Sequence, residues 1–92
     1  MALEALGMVE TRGYTGAVEA VNIMLKSGGI KILGKEVTGE NFITVFAEGE
    51  YEAVKSAVLK GADSVRKIGE LISYNVITNP HPGLKIFLSN LK

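Results

Sequence analysis

Two stretches of helical periodicity, each bracketed by short stretches of strand character, constrain this chain more than any other feature. In the first, Ala17, Ala20, Val21, Met24 and Leu25 recur at helical spacing, which puts them on one stripe of a helix reaching about Ser27. In the second, Val54, Ala57, Val58, Gly61, Ala62 and Val65 share a stripe over about 50–66, while Glu52, Lys55, Lys60 and Asp63 fall on the watered side. Before the first helix, Leu3 to Thr11 alternates: Leu3, Ala5, Gly7 and Val9 point one way, and Glu4, Leu6, Met8 and Glu10 the other. Between the helices, Ile30 to Val37 reads as a strand with Ile30, Ile32 and Gly34 on one side and Lys31, Leu33 and Lys35 on the other. Phe42 to Ala47 is β-branched and aromatic, and Thr38-Gly39-Glu40-Asn41 joins these two strands as a hairpin loop. A fourth strand is expected over Glu70 to Ile77.

The boundaries carry their own chemistry. Arg12-Gly13-Tyr14-Thr15-Gly16 is a turn with Thr15 as the expected N-cap. Gly28-Gly29 stops the first helix by a left-handed cap, and Lys26 sits in the last turn, where the helix dipole favours a cation. Gly61 costs roughly 1 kcal/mol of helix propensity relative to alanine, so the small residues on both stripes predict a tight approach of the helices to the sheet. Pro80-His81-Pro82 makes a stiff extended segment. Beyond it, Leu84, Phe87, Leu88 and Leu91 predict a short terminal helix within 83–91. With right-handed crossovers, the order βαββαβ gives a ferredoxin-like α+β domain, four antiparallel strands with two helices on one face. All of 1–92 is read as one domain with its core over about 3–82. The other sheet face carries Leu6 and Met8 among charges, neither clean core nor clean surface, and points to self-association.

Composition narrows the function. Ninety-two residues allow one thin-cored domain that oligomer contacts would help to stabilise. Ten basic residues balance ten acidic ones, without the clustered basic excess of a duplex-binding domain, and nucleic acid is disfavoured. Cysteine is absent, which excludes disulfide frameworks, thiol catalysis and cysteine-ligated metal, and suits the cytosol. The opening Met-Ala-Leu-Glu-Ala-Leu-Gly has no basic n-region and does not read as a signal peptide. No apolar run approaches the ~20 residues of a membrane helix, so no lipid membrane is expected as partner.

A catalytic set is also missing. The chain has one histidine, one aspartate (Asp63) and two arginines, and a serine–histidine pairing has no local support. Arg12-Gly13-Tyr14-Thr15-Gly16 shares only its glycines and arginine with the phosphate-cradling loop of an acylphosphatase, and ordinary strand-to-helix turns look the same. His81 has no metal-ligand partner spaced to help it. Tyr14, Tyr51 and Tyr74 fall on different elements and make no base-stacking platform. No enzyme activity, cofactor or metal is expected. A small-molecule-sensing module of the ACT or PII-like kind is the alternative from another functional class.

Residues 1–13, Met-Ala-Leu-Glu-Ala-Leu-Gly-Met-Val-Glu-Thr-Arg-Gly, resemble the opening of hexameric bacterial microcompartment shell proteins, which build the carboxysome and the propanediol- and ethanolamine-utilisation organelles. The resemblance continues through Ala17 to Ser27, Gly34, Gly49, Ala53-Val54-Lys55, Ile68-Gly69-Glu70 and Val76-Ile77, and ends at Pro80-His81. It covers roughly 3–82, the whole expected core. It implies a BMC-domain protein of the cytoplasm: a flat homohexamer that tiles edge to edge with neighbouring hexamers and other shell proteins around a metabolite pore on its axis. Cargo-targeting helices are further partners it brings into view, with the tail expected to pack on its own ring instead.

The same resemblance implies roles for particular residues. Lys26 matches the family lysine at the hexamer edge, and Asn79 a position commonly occupied there by arginine, so the long charged reach into the neighbouring ring is lost here. Pro80 and His81 match the rest of that edge motif. Thr38, Gly39, Glu40 and Asn41 match the pore loop, with Glu40 and Asn41 standing where glycine or serine is common. Repeated about an axis with neighbours about 8 Å apart, Glu40 carboxylates would repel by ~0.5 kcal/mol per pair in water and ~2 kcal/mol at an effective dielectric of 20. Such a ring would disfavour anionic metabolites; a Glu40 folded back onto Lys35, or turned to one face, would not.

Overall fold

The computed structural model describes residues 4–89 and 91. Its elements run β1 (Ala5–Arg12), α1 (Tyr14–Ser27), β2 (Ile30–Thr38), β3 (Phe42–Gly49), α2 (Tyr51–Ile68), β4 (Glu70–Thr78) and α3 (Leu84–Leu88). The strands form one sheet in the order β2-β3-β1-β4, and every neighbouring pair is antiparallel. This is the expected ferredoxin-like α+β arrangement. Leu3, the first residue of the expected β1, lies outside the described residues.

Alternation on β1 decides which sheet face is core. Ala5 and Val9 are fully buried and Gly7 lies under α2, with Val54 and Val58 directly above it. The register continues this face onto Ala47, Val45 and Ile43 of β3. Against it, α2 buries all six residues of its stripe: Val54, Ala57, Val58, Gly61, Ala62 and Val65. The stripe on α1 is narrower than expected. Gly16, Ala17, Ala20 and Met24 are buried, but Val21 is only half-buried and Leu25 is 53% exposed.

The close approach at Gly61 is to α1 rather than to the sheet. A Cβ there would lie 3.0 Å from Cγ of Met24, itself fully buried. Ser64 of α2 donates to the Glu19 carboxylate of α1 beside this contact. The glycine that admits a helix to the sheet is Gly7, on the strand, where a Cβ would lie 2.6 Å from a Val58 methyl.

Three local expectations change. Helix α1 begins one residue before Thr15 and is capped by Gly13 at φ 90°, with no side-chain cap. In β2 the register shifts between Ile32 and Gly34, leaving Leu33 as an extra residue. A bulge reverses the alternation beyond it, so Lys35 and Val37 pair with Val45 and Ile43 on the helix side, opposite to the uninterrupted pattern. The tail forms only the five residues of α3. Phe87, expected on its apolar face, is 65% exposed, whereas Leu84, Leu88 and Leu91 are half-buried; Asn90, inside the expected helix, lies outside the described residues. The tail borders the second sheet face, where Phe87 and Leu91 line a small hollow with Phe46 and Glu36. That face is less open than its mixed sequence suggests: Leu6 is 2% and Phe46 8% exposed.

Candidate functional site

The strand register sorts the chain's candidate residues to two opposite ends of the sheet. At one end Ala5 pairs with Gly49 and with Thr78, and Ile30 pairs with Gly49. Lys26, at the close of α1, and Asn79, directly after β4, both lie at this end. At the other end Arg12 pairs with Phe42 and Glu70, and Thr38 pairs with Phe42. The 38–41 loop closes the sheet there. Strands of this length rise ~3.3 Å per residue, so the ends stand roughly 25–30 Å apart.

The loop is tighter than a four-residue connection, because Thr38 is still paired and only Gly39, Glu40 and Asn41 turn. Gly39 at φ 51° and Asn41 at φ 69° take left-handed conformations, which glycine adopts without strain and asparagine tolerates better than most residues. The Asn41 carbonyl accepts the Gly13 N–H at 2.6 Å, tying the loop to the start of α1. Behind it the Arg12 guanidinium lies 4.9 Å from the Phe42 ring centroid and 3.9 Å from a Glu70 carboxylate oxygen. Thr38, Gly39, Glu40 and Asn41 are all exposed. Among the described residues no ion pair joins Glu40 to Lys35, so the folded-back arrangement is not the one adopted.

At the opposite end, Asn79 sits at φ 52° and donates its backbone N–H to the Glu4 carbonyl at 3.0 Å. Pro80 is buried and anchors the segment. His81 is exposed; its Nδ1 accepts the Gly83 N–H at 2.9 Å and its carbonyl accepts the Leu84 N–H at 3.0 Å, which folds the chain into α3. Lys26 is exposed at the end of α1. The structure thus places Lys26 and Asn79–His81 at one end of the sheet, beside its two opposite edges, and residues 38–41 at the other end.

A third surface was not singled out by the sequence. Along the free edge of β2, a groove of about 510 Å³ runs between that strand and α1, lined by Tyr14, Val18, Val21, Leu25, Ile32 and Lys35 among others. Tyr14, Val18 and Leu25 are 54%, 64% and 53% exposed, a large apolar strip that the other described residues do not cover. The signal that could have found it is the spacing 14, 18, 21, 25, a second apolar stripe beside the buried one.

Comparison with known proteins gives these ends and edges a context. The family model described as the BMC domain matches residues 5–80. The chain is 42% identical over 88 residues to the bacterial microcompartment shell protein PduA of Salmonella typhimurium, spanning 96% of this chain and 94% of that one. It is 40% identical over 91 residues to the bacterial microcompartment shell protein EutM of Escherichia coli, covering 98% and 94%. With the carboxysome shell protein CsoS1 of Prochlorococcus marinus it shares 39% identity over 87 residues, covering 94% and 84%. A crystal structure of a microcompartment protein from Desulfitobacterium hafniense superposes with a TM-score of 0.83 at 24% identity; it has the same fold over 99% of this chain, which spans 49% of that longer one. The match over nearly the whole sheet and both helices, together with three shell-protein relatives near 40% identity, means that this chain belongs to the BMC-domain family of bacterial microcompartment shell proteins.

Proposed function

We propose that this protein is a structural, pore-forming unit of a microcompartment shell: a cyclic hexamer that tiles into a sheet and lets metabolites cross along its axis. The observation that carries this reading is the separation of the two residue groups. A ring needs one end of each wedge on the axis and the other on the rim, and the 38–41 loop and the Lys26/Asn79–His81 group lie at opposite ends of the same strands. Thr38, Gly39, Glu40 and Asn41 then surround the pore, while Lys26, Asn79 and His81 meet the neighbouring ring and the buried Pro80 holds that segment in place.

The relatives' shell roles support the same reading for this chain, in the cytoplasm as part of an organelle shell. The ACT or PII-like alternative requires a ligand site at a dimer or trimer interface, and no observation favours it. A native mass spectrum tests the assembly. A dominant hexamer is expected, and a dimer or trimer that stays intact across salt and concentration would overturn the ring.

A further inference from the structure

We infer that Arg12 is a positioning residue for the 38–41 loop, holding it from behind through the Phe42 ring and so keeping the Glu40 carboxylate in a fixed place. The inference rests on the pore reading and adds what fixes the loop there. It gives a role to the Arg12-Gly13 turn, whose residues otherwise suit any strand-to-helix connection.

Strand pairing sets Thr38, Phe42, Arg12 and Glu70 in one row across the end of the sheet. Directly paired residues point to the same side of a sheet. Here that side is the one away from the helices, because the neighbouring Thr11 is fully buried against Gly16 of α1. Within the row the Arg12 guanidinium reaches both neighbours, lying over the Phe42 ring and 3.9 Å from a Glu70 carboxylate oxygen. Ion pairs of Asp63 with Arg66 and with Lys67 stay within α2, whereas this one ties two strands. The ring carries the contact into the loop, since a Cβ on Gly39 would lie 3.8 Å from a Phe42 ring carbon. Phe42 is where the loop rejoins the sheet, so a ring held under the guanidinium limits the swing of the three turning residues.

A second tie starts from the same turn. The buried Thr11 hydroxyl donates to the Gly13 carbonyl at 3.1 Å, and the Gly13 N–H donates to the Asn41 carbonyl. Arg12 and Gly13 thus hold the loop through two adjacent residues, Phe42 and Asn41. In a ring, copies of the Glu40 carboxylate repel one another. A loop held from behind resists that push, and a loose one lets the carboxylates splay. The sign of the effect separates holding from charge. If Arg12 acted only as a cation, its removal would raise the cation preference of the pore. If it holds the loop, its removal lowers that preference although Glu40 is untouched.

The test uses the full chain, with hexamers confirmed by native mass spectrometry. The Gly13 amide reads the loop directly, because its acceptor is the Asn41 carbonyl. Hydrogen exchange there, corrected for the intrinsic effect of the preceding side chain, is compared in wild type, Arg12→Ala, Phe42→Leu and the double variant. Each single variant is expected to speed exchange roughly 2–5-fold, with the amides of the buried Val9 and Val45 unchanged. The double variant is expected to match the faster single one rather than the product of the two. No change in Arg12→Ala, a product in the double variant, or equal acceleration at Val9 and Val45 overturns the inference. In bilayers, Arg12→Ala hexamers are expected to lose cation preference relative to wild type. A preference unchanged or raised overturns the positioning role and leaves the pore reading standing. Wild-type hexamers that pass no current overturn the pore reading itself, and the part of Arg12 in it.

Discussion

Gly7 sits where the sheet and α2 meet most closely, and Gly7→Ala measures how rigid that meeting is. The new Cβ would lie 2.6 Å from a Val58 methyl and 2.7 Å from a Val54 methyl, against ordinary contact from about 3.4 Å. Neither neighbour can yield by rotation. Both valines are fully buried, and a valine in a helix holds essentially one χ1 rotamer. They also stand one turn apart on the same helix, so α2 must withdraw as a body by somewhat under 1 Å or the strand must bend. Overpacking of this kind costs ~1–3 kcal/mol, while replacing glycine by alanine returns ~0.4–1 kcal/mol by restricting the unfolded chain. The net expectation is a loss of ~1–2 kcal/mol, which lowers the midpoint of a domain this size by ~4–8 °C per kcal/mol. The assays are thermal unfolding for the midpoint and denaturant unfolding for the free energy, both at fixed protein concentration, since assembly makes stability concentration-dependent. Val58→Ala in the same background removes one of the clashing methyls, and the double variant is expected to lose less than the two single losses added, by at least ~0.5 kcal/mol. An unchanged or raised midpoint in Gly7→Ala, or simple additivity in the double variant, would refute the reasoning.

Gly61→Ala meets a different neighbour. Its Cβ would press on Met24 at 3.0 Å, but methionine has rotatable bonds to give way and alanine regains ~1 kcal/mol of helix propensity; unfolding is expected within ~0.5 kcal/mol of wild type, and a loss as large as that of Gly7→Ala would show the α1–α2 contact to be the stiffer one. Asn79→Arg is expected to promote sheet formation, seen by electron microscopy, by restoring a long cation at the rim. The same substitution is expected to cost up to ~1 kcal/mol of protomer stability at this left-handed position, and unaltered assembly would remove Asn79 from the edge contact. For Glu40, bilayer-reconstituted hexamers are expected to pass cations more readily than anions and to lose that preference in Glu40→Ser. An anion preference present in both proteins would refute a pore role for this carboxylate.

Much of this architecture is legible without coordinates, and the reasons are local. The stripe on α2 is read in full because all six of its small and β-branched members repeat at one period and are buried together. The hairpin loop is legible because glycine and asparagine stand where the backbone turns left-handed. Ala5, Gly7, Val9 and Thr11 of β1 are buried as their alternation predicts, since the helices cover that face and period two admits no other register; Leu6, on the other face, is buried as well. Lys26, the 38–41 loop and the 79–81 segment are legible only through resemblance to a family; the family match over 5–80 spans all of them except His81.

What only the tertiary structure decided are the features that depend on two segments at once. The bulge at Leu33 has no signature, because an apolar residue fits the alternating pattern with or without it; only pairing with β3 shows Lys35 and Val37 turned to the helix side. Gly61 reads as a helix-weakening residue until Met24 is seen against it. Leu25 and Phe87 carry the apolar character of core residues and remain exposed, because periodicity states which residues share a face and not whether anything covers it. The sequence by itself determined the order of elements, the buried stripe of α2 and the residues at each turn. Folding decided that the two candidate residue groups lie at opposite ends of the sheet and that an apolar groove lies along its β2 edge, since both follow from pairing and packing of segments far apart in the chain.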